Sequence, residues 1–421
     1  MRTVACVTSV MSEASAGYES WMLPASTAAP DRSDTTYLRP LLTVFLGWLW
    51  VMAGVNLAAP LYAVYADELG FSGLVLTTVF ATYAVTLVAS LLLCGRLADR
   101  FGRRPVILAG LATGCLALVV FTAAESTAWL YAARALQGIA VGLISGPATA
   151  ALVEIDPQRD TRRPALLAGL AQTVGSGLGP VIAGSLAQWG PDPLRLSYLV
   201  GLAGTLVAVG FAWRLPEQAT GGEPWRIQWP RVPAGLRTDF LRVGLTAGLV
   251  WASLALYLSV VPSYVADLLA TDNLALLGTN SALACFASAG TQVWARAHGG
   301  HQHRSQALGL TLLAAGLVLL VVSSLTHSLP TVLAGAVVTG VGHGLAFIHA
   351  QHELNTFVPS QRRAEVSAAF VCCIYVLVGG AVIAVGLIDE TGGLTRGVGI
   401  VGSMLTVGAL VTAGWQVARG R

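Results

Sequence analysis

The clearest pattern along the chain is a series of long apolar segments separated by short polar ones. Each segment reaches the ~18–20 residues that an α-helix needs to cross about 30 Å of hydrocarbon. Two of them interrupt the apolar pattern slightly: residues 126–153 contain one arginine, Arg134, and residues 328–352 contain three histidines. The others carry no charge and are residues 41–66, 73–95, 105–124, 164–191, 196–213, 243–266, 273–295, 305–326, 366–388 and 397–418. The pattern predicts twelve transmembrane helices.

Helices are the spanning structure that this pattern favours. A backbone inside lipid must satisfy its own amides, either within a helix or in a closed barrel. A barrel would show short segments of alternating hydrophobicity, whereas these runs are long and uniform. Composition agrees, because 55% of the residues are hydrophobic, 11% are charged, and the mean hydropathy is +0.70. We therefore predict an all-α integral membrane protein.

The basic residues lie on one side of the predicted membrane. All 24 of them are arginine. A cytoplasmic N-terminus places every arginine in a cytoplasmic segment except Arg195 and Arg396 outside and Arg134 within a span. The opposite loops carry acids: Asp67, Glu68, Glu125, Asp192, Asp267, Asp272, Asp389 and Glu390. By the positive-inside rule we expect a multi-pass plasma-membrane protein with both termini cytoplasmic. The net charge of +3 reflects this topology, and no nucleic-acid partner is expected.

Two segments lack a predicted span. Residues 1–38 are rich in Ser, Thr and Ala, and we expect a disordered cytoplasmic tail there. Residues 215–238 form the longest loop between spans, and their Pro, Gly, Trp and Arg content is typical of a cytoplasmic linker. The linker divides the chain into an N-terminal six-helix bundle, residues 39–214, and a C-terminal six-helix bundle, residues 239–421.

The two predicted bundles repeat each other in sequence. A constant offset of 202 residues superposes Pro60 on Pro262 and Tyr62 on Tyr264. The same offset matches Gly138 with Gly340, Gly142 with Gly344, Leu143 with Leu345, Pro157 with Pro359 and Gly184 with Gly386. Six spans per half give both halves the same orientation, so they are related by an axis along the membrane normal. A substrate site between them, near the midplane, could then face either side as the halves rock.

The loop between the second and third predicted spans reads GRLADRFGRR from Gly95 to Arg104. This loop resembles the signature of the major facilitator superfamily at every defining position, and the resemblance covers residues 41–418. It implies two pseudo-symmetric six-helix bundles and a conformational latch that holds them in the outward-facing state. The latch residues are Gly95, Asp99, Arg100, Gly102, Arg103 and Arg104. An anchor to anionic lipid is the alternative, but it requires neither the acid nor the glycines.

The fourth predicted span carries Arg134-Ala-Leu-Gln137-Gly138, which resembles the R-x-x-Q-G motif of the same superfamily. A charge at this depth costs about 2.5–3.5 kcal/mol on insertion scales, so it needs a polar partner or a wet cavity. The repeat places Ala336 at the equivalent position, so the scaffold does not require the arginine. The resemblance implies that Arg134 assists proton movement. A side chain that snorkels to the outer surface is the alternative.

The fifth predicted span contains Gly175, Gly179, Pro180 and Gly184, in the sequence GSGLGPVIAG. It resembles the superfamily's antiporter signature, G-x-x-x-G-P-x-x-G-G, with Ala183 in place of one glycine. Glycines four residues apart allow close helix packing, and proline bends a helix. The resemblance implies an exporter. Ordinary small-residue packing is the alternative.

A proton-coupled transporter needs a titratable group in its path. The first predicted span has only Asn56, although several drug exporters of the superfamily have an acid there. The proton-coupling candidates are therefore Arg134, Glu154 at the inner end of the fourth span, and His343 near the middle of the tenth. For His343 a packing role is an equal alternative. A wetted helix end is expected for His349, His352 and Glu353.

Residues of the first, fourth, seventh and tenth spans would line the substrate cavity, by the same resemblance. The candidates are Asn56, Tyr62, Gln137, Tyr257 and Tyr264. Such a mostly apolar lining favours apolar ligands over sugars or ionic nutrients. We therefore predict proton-coupled efflux of small amphipathic compounds, drugs or secondary metabolites, with a nutrient or metabolite permease of the same fold as the alternative. A receptor on the same scaffold is disfavoured by the intact motifs.

The sequence shows no catalytic constellation, so we expect no enzyme activity. The cysteine and histidine spacing matches no strong metal pattern, so we predict no metal site, and the proton gradient is the driving force in place of a cofactor. The expected partners are a small-molecule substrate and the lipid bilayer, with the protein acting as a monomer.

Overall fold

The computed structural model describes residues 37–156, 162–216, 227, 229–298, 301–359 and 362–419. Over these residues the protein is helical and contains no β-strand. Within the same residues, twelve helices are long and apolar enough to cross a membrane, which confirms the predicted fold class. They are α1 (Leu38–Asn56), α2 (Gly73–Cys94), α3 (Arg103–Thr122), α4 (Thr127–Ile155), α5 (Arg162–Trp189), α6 (Pro193–Ala212), α7 (Arg237–Ser259), α8 (Leu274–His298), α9 (Gln302–Thr326), α10 (Leu329–Phe357), α11 (Arg363–Gly392) and α12 (Leu394–Arg419).

The predicted tail and linker fall largely outside this description. Of the tail, residues 1–36 lie outside the described residues, and α1 begins at Leu38. Of the linker, residues 217–226 and residue 228 lie outside them as well. The linker leads through a 3₁₀ turn at Ala234–Leu236 directly into α7, which therefore begins before the apolar run from residue 243.

Helices α1 and α7 are interrupted at matching points. After a turn, α1 is followed by a short helix over Tyr62–Leu69, and α7 is followed by one over Val261–Leu269. Pro60 lies in the first interruption and Pro262 at the start of the second short helix. Proline has no N–H to donate and crowds the preceding turn, so the helix ladder fails near it. The repeat seen in the sequence thus produces a repeated break in the structure.

The helices pack in two groups that meet along two seams. In the first group α1 packs on α5, and α4 packs on α2 and α3; in the second α9 packs on α10 and α12, and α7 on α11. The seams are formed by α2 against α11 and by α5 against α8. The largest buried apolar cluster belongs almost wholly to the second group but includes Phe80 of α2. The two groups are therefore in direct apolar contact.

The ends of the bundle differ in charge. We call the end where α2 leads into α3 the basic end, because residues 96–104 carry four arginines there. The opposite end, where α1 leads into α2 and α11 into α12, is the acidic end and carries Asp67, Asp267 and Asp389. A third short helix, Leu97–Phe101, lies in the loop at the basic end.

Candidate functional site

Arg134 of α4 is 1% exposed and braces the interrupted end of α1. Its Nε donates to the Tyr62 hydroxyl, and one terminal nitrogen donates to the Val55 carbonyl at 2.8 Å and to Gln137 Oε1 at 2.9 Å. Gln137 Nε2 in turn donates to the Gly54 carbonyl at 3.0 Å. The guanidinium also lies 5.2 Å from the Tyr62 ring centre. These bonds satisfy a buried cation and rule out snorkelling as its state in this structure.

The bonds from Arg134 and Gln137 to α1, which we call the brace, are needed because α1 is interrupted. Carbonyls in the last turn of a helix have no amide partner within the helix and need another donor. Gly54 and Val55 occupy that last turn of α1, and Ala59 N–H bonds the Asn56 carbonyl instead of reaching back to Val55. The R-x-x-Q spacing places both side chains on one face of α4, one turn apart, where each meets one of these carbonyls.

In the second half, the equivalent backbone carbonyl is satisfied without a charged side chain. The Tyr257 carbonyl, equivalent to that of Val55 in the repeat, accepts from Ser281 Oγ at 2.6 Å. Ala336 stands where Arg134 stands in the first half and is fully buried. The Tyr257 hydroxyl lies 3.5 Å from Thr339 Oγ1. A hydroxyl can therefore cap this break, so the buried charge belongs to the first half specifically.

The predicted cavity residues fall into two separate groups. Tyr62 and Gln137 meet at Arg134, while Asn56 donates to the Met52 carbonyl and to Ser176 Oγ of α5. In the second half, Tyr257 and Tyr264 are each buried in that half's core. Tyr264 bonds Ser323 Oγ at 2.9 Å. All five side chains are at most 5% exposed in this conformation, and their contact with substrate stays a prediction.

Helix α5 packs closely on both neighbours through its glycine–proline motif. A Cβ atom on Gly179 would lie 2.3 Å from the Ala53 carbonyl oxygen of α1, and one on Gly175 would lie 2.4 Å from the Leu49 oxygen. A Cβ on Gly184 would lie 2.4 Å from the carbonyl oxygen of Leu274 in α8. One edge of the motif thus contacts α1 beside its break, and the other forms part of the seam between the halves.

The predicted latch residues lie at the basic end and interact within their own half. Arg103 bonds Asp99 at 2.9 Å and Glu154 of α4 at 3.0 Å. Gly102 has a positive φ of 93°, a conformation that a side chain disfavours. Arg100 lies over the Phe101 ring and Arg104 over the Trp213 ring, while Gly95 ends α2. Glu154 is 40% exposed in this ion pair, so the structure places it with the loop and away from mid-membrane.

His343 lies near the middle of α10. Its ring packs with those of Trp251 and Phe347, and we call these three residues the aromatic cluster of α7 and α10. Its Nδ1 lies 2.7 Å from Ser288 Oγ of α8, and its Nε2 has no hydrogen-bond partner among the described residues. The His343 ring meets the Trp251 ring edge to face at 4.9 Å and stacks on Phe347 at 5.6 Å. The side chain is fully buried, yet one nitrogen remains unsatisfied, which is unusual for a residue with only a packing role.

A buried ion pair near the basic end of the second half was not foreseen from the sequence. Arg242 of α7 is 2% exposed and forms a two-pronged ion pair with Glu353 of α10. Gln306 of α9 donates to the same carboxylate at 2.6 Å, and Gln416 of α12 bonds both Arg242 and Gln306. The expectation that Glu353 lies at a wetted helix end is wrong, because its side chain is buried and bonded to Arg242 of α7 and Gln306 of α9. In the sequence, Arg242 directly precedes the uncharged run at 243–266, so the pattern indicates a residue that flanks the span and not one buried in it.

At the acidic end the two halves are in contact. The helix Tyr62–Leu69 touches the helix Val261–Leu269, and the Asp389 carboxylate fills the space beside Gly73. Across the other seam, the Leu274 amide donates to Gln188 Oε1 at 2.8 Å. Partial desolvation, with the carboxylates of Asp389 and Asp67 nearby, raises the pKa of Asp267, whose side chain stays exposed. In this structure the acidic end is therefore closed.

Comparisons with known sequences agree with these motifs. The Major Facilitator Superfamily model matches residues 44–384. Multidrug resistance protein 1 of Bacillus subtilis is 29% identical over 205 residues, covering 48% of this chain and 50% of that protein. The methylenomycin A resistance protein of the same species is 30% identical over 195 residues, covering 45% and 41%. The multidrug transporter mfsC of Aspergillus fumigatus is 34% identical over 122 residues, covering 29% and 24%. This chain thus matches half or less of the length of each relative.

Solved structures show the same fold at low identity. The human organic anion transporter MFSD10 (TETRAN) has a TM-score of 0.65 and 18% identity, over 90% of this chain and 99% of that one. A POT family transporter in complex with 5-aminolevulinic acid has a TM-score of 0.70 and 13% identity, over 89% and 95%. Together, the twelve helices, the loop motif and the family match over most of the sequence show that this chain belongs to the Major Facilitator Superfamily of membrane transporters.

Proposed function

We propose that this protein exports small amphipathic molecules, drugs or secondary metabolites, by proton-coupled alternating access. The observation that carries the proposal is the difference between the two ends of the contact between the halves. At the acidic end the halves touch, whereas at the basic end the ion pairs of Asp99 and Arg103 stay within the first half. Halves that meet at one end, with the latch residues of the other end paired inside one half, are the arrangement expected of one state in such a cycle.

The opposite state would use the same two seams. Rocking about α2–α11 and α5–α8 would open the acidic end and bring the loop of Asp99 against the second half. In that state Asp99 would act as the latch, with its carboxylate facing arginine donors or a helix N-terminus across the gap. The glycines of α5 support this motion, since they let helices slide past each other with few interlocking side chains.

Export, as opposed to uptake, is supported by two observations. The α5 motif that resembles the antiporter signature packs against both α1 and the second half, so it couples the interrupted helix to the seam. The curated relatives include proteins named for multidrug and methylenomycin A resistance. The basic end would face the cytoplasm under the positive-inside rule, and the protein would work in the plasma membrane as a monomer with the proton gradient as its energy source.

Three residues are proposed for proton coupling, with different geometries. His343 is buried at mid-span, and its ring nitrogen without a partner would be the atom that takes the proton. Arg134 holds the end of α1 and would transmit the position of that helix to α4. Glu154 pairs with Arg103 and would take or release a proton only when the latch rearranges.

Drug-susceptibility profiling of cells with and without the protein would first identify exported compounds. Everted membrane vesicles would then be tested with the same compounds under an imposed proton gradient. We expect accumulation inside acidified vesicles and its loss when the gradient is collapsed. Proton-driven accumulation in right-side-out vesicles instead would favour the nutrient symporter, and no dependence on the gradient in either orientation would contradict proton coupling.

A further inference from the structure

The spans of this protein carry an uncompensated positive charge. The partners of Arg134 are the Tyr62 hydroxyl, the Val55 carbonyl and the Gln137 amide oxygen, all of them neutral. The guanidinium also lies over the rings of Tyr62 and Phe80, at 5.2 and 5.4 Å from their centres. Among the described residues, no carboxylate pairs with this guanidinium. A buried cation held only by neutral groups keeps its full charge, and little water is present to screen it.

Acids are confined to the helix ends. Within the described parts of α1 to α12 the acidic residues are Glu154, Asp239, Glu353, Glu365, Asp389 and Glu390. Each lies within about two turns of the end of its helix. Glu353 and Glu154 are already paired with Arg242 and Arg103. The middle of the bundle therefore offers no free carboxylate to a passing cation.

The positive charge lies close to the contact between the halves. Phe80 of α2 covers the Arg134 guanidinium on one side and packs into the buried cluster of the second half on the other. The ring of Phe80 thus lies between the charge and that half. The uncompensated field of Arg134 consequently extends into the region where the halves meet.

The second half carries a cluster of aromatic rings on α7 and α10. Between residues 242 and 259 of α7, every side chain is buried except those of Leu245 and Trp251. Trp251 is half-buried and packs against the buried cluster of the second half. Trp251 packs edge to face on both His343 and Phe347, at 4.9 and 5.5 Å. Behind it, His343 Nε2 is a buried polar atom without a partner.

We infer, on the basis that the protein is the exporter proposed above, that its substrates are uncharged or anionic aromatic molecules and that organic cations are excluded. The aromatic cluster of α7 and α10 supplies stacking for a planar ring. Arg134 supplies a favourable field for an anion and an unfavourable one for a cation. A cation moving between the halves would also have to shed water with no carboxylate to replace it.

The test uses the purified full chain and three naphthalene probes with an anionic, a neutral and a cationic substituent at the same ring position: naphthalene-2-sulfonate, 2-methoxynaphthalene and trimethyl(2-naphthyl)ammonium. Equilibrium dialysis measures the binding of each, and proteoliposomes with an imposed proton gradient measure transport of the two charged ones. We expect the sulfonate to bind about tenfold or more tightly than the ammonium, as the sign of the field requires. An ammonium that binds as well as the sulfonate, or binding of none of the three, overturns the inference.

A charge-cancelling variant sharpens the result. Gln137→Glu places a carboxylate beside the Arg134 nitrogen that Gln137 Oε1 now meets at 2.9 Å, so the local charge becomes neutral. The preference for sulfonate over ammonium should then fall at least severalfold. Gln302→Glu makes the same chemical change at the start of α9 and should leave the preference unchanged. An unchanged preference in Gln137→Glu would remove Arg134 as its cause.

The outcome can be separated from that of the proposed function. Sulfonate transport that ignores the proton gradient leaves the substrate class standing and removes proton coupling. Proton-driven transport of the ammonium has the opposite meaning, because it keeps the exporter and removes the substrate class.

Discussion

The contact between α5 and α1 gives the sharpest quantitative prediction. A Cβ on Gly179 would lie 2.3 Å from the Ala53 oxygen and 2.9 Å from the Asn56 carbonyl carbon. Both neighbours are backbone atoms, so Gly179→Ala can be accommodated only if α1 moves away by about 1 Å. Ala53 directly precedes the carbonyls that Arg134 and Gln137 hold, so the same movement would loosen the brace.

The expected free-energy change is the difference of two effects. Overpacking a close contact costs about 1–3 kcal/mol, and a rigid backbone neighbour places this site toward the upper part of that range. Replacing glycine by alanine inside a helix returns about 0.5–1 kcal/mol. Taking about 2–3 kcal/mol for the overpacking cost, we therefore expect Gly179→Ala to be destabilised by about 1–2.5 kcal/mol.

Gly290→Ala is the matched control, since a Cβ on Gly290 of α8 meets no atom within 4 Å. This variant should gain only the stability that alanine adds over glycine inside a helix. The two variants should therefore differ by about 2 kcal/mol or more in the free energy of unfolding. Unfolding in detergent measures stability, and proton-driven efflux measures function. Equal stability and equal efflux in the two variants would refute the close approach of α5 to α1.

Four further predictions follow from named contacts. Asp99→Asn should insert normally but lose most transport, which vesicle efflux at matched protein levels would show; full efflux contradicts the latch. Arg134→Ala should weaken the dependence of efflux on the proton gradient, with Arg134→Lys rescuing only part because it lacks the planar fork; unchanged coupling in both contradicts the assignment. Glu353→Ala should destabilise the protein by about 3–5 kcal/mol, whereas Arg242→Met with Glu353→Leu should remain nearly as stable as the native chain; equal losses contradict a buried pair. The raised pKa of Asp267 means that the closed state binds its proton more tightly, so a fall in pH favours closure. Asp267→Asn should therefore make thiol labelling of cysteines introduced at the acidic end less dependent on pH; an unchanged pH profile contradicts this.

Much of the fold was predictable because lipid restricts the choices. Twelve apolar runs had to be twelve helices, and the 202-residue repeat placed Pro60 and Pro262 where the structure interrupts α1 and α7. The grouping of Arg134 with Gln137 was also readable, since i and i+3 positions share a helix face.

The partners of the polar residues were less predictable. Arg242 and Glu353 are 111 residues apart, and only the packing of α7 on α10 reveals that they meet. The pairing of Glu154 with Arg103 likewise depends on how α3 and α4 align at the basic end. Hydropathy reports depth in the membrane, but helix rotation decides which side chains face each other, and the sequence pattern of a mostly buried helix carries little of that information.

The most direct test of alternating access is a reversible cross-link at the acidic end. A Cβ on Gly73 would lie 3.6 Å from Asp389 Cβ, within the range of about 3.5–4.5 Å that a disulfide needs. Gly73→Cys and Asp389→Cys would be combined in a protein whose native cysteines are replaced, and substrate efflux would be measured before oxidation, after it and after reduction. We expect oxidation to stop efflux and reduction to restore it, with each single variant unaffected by oxidant. Undiminished efflux in the fully cross-linked protein would contradict opening of the acidic end as a step of transport.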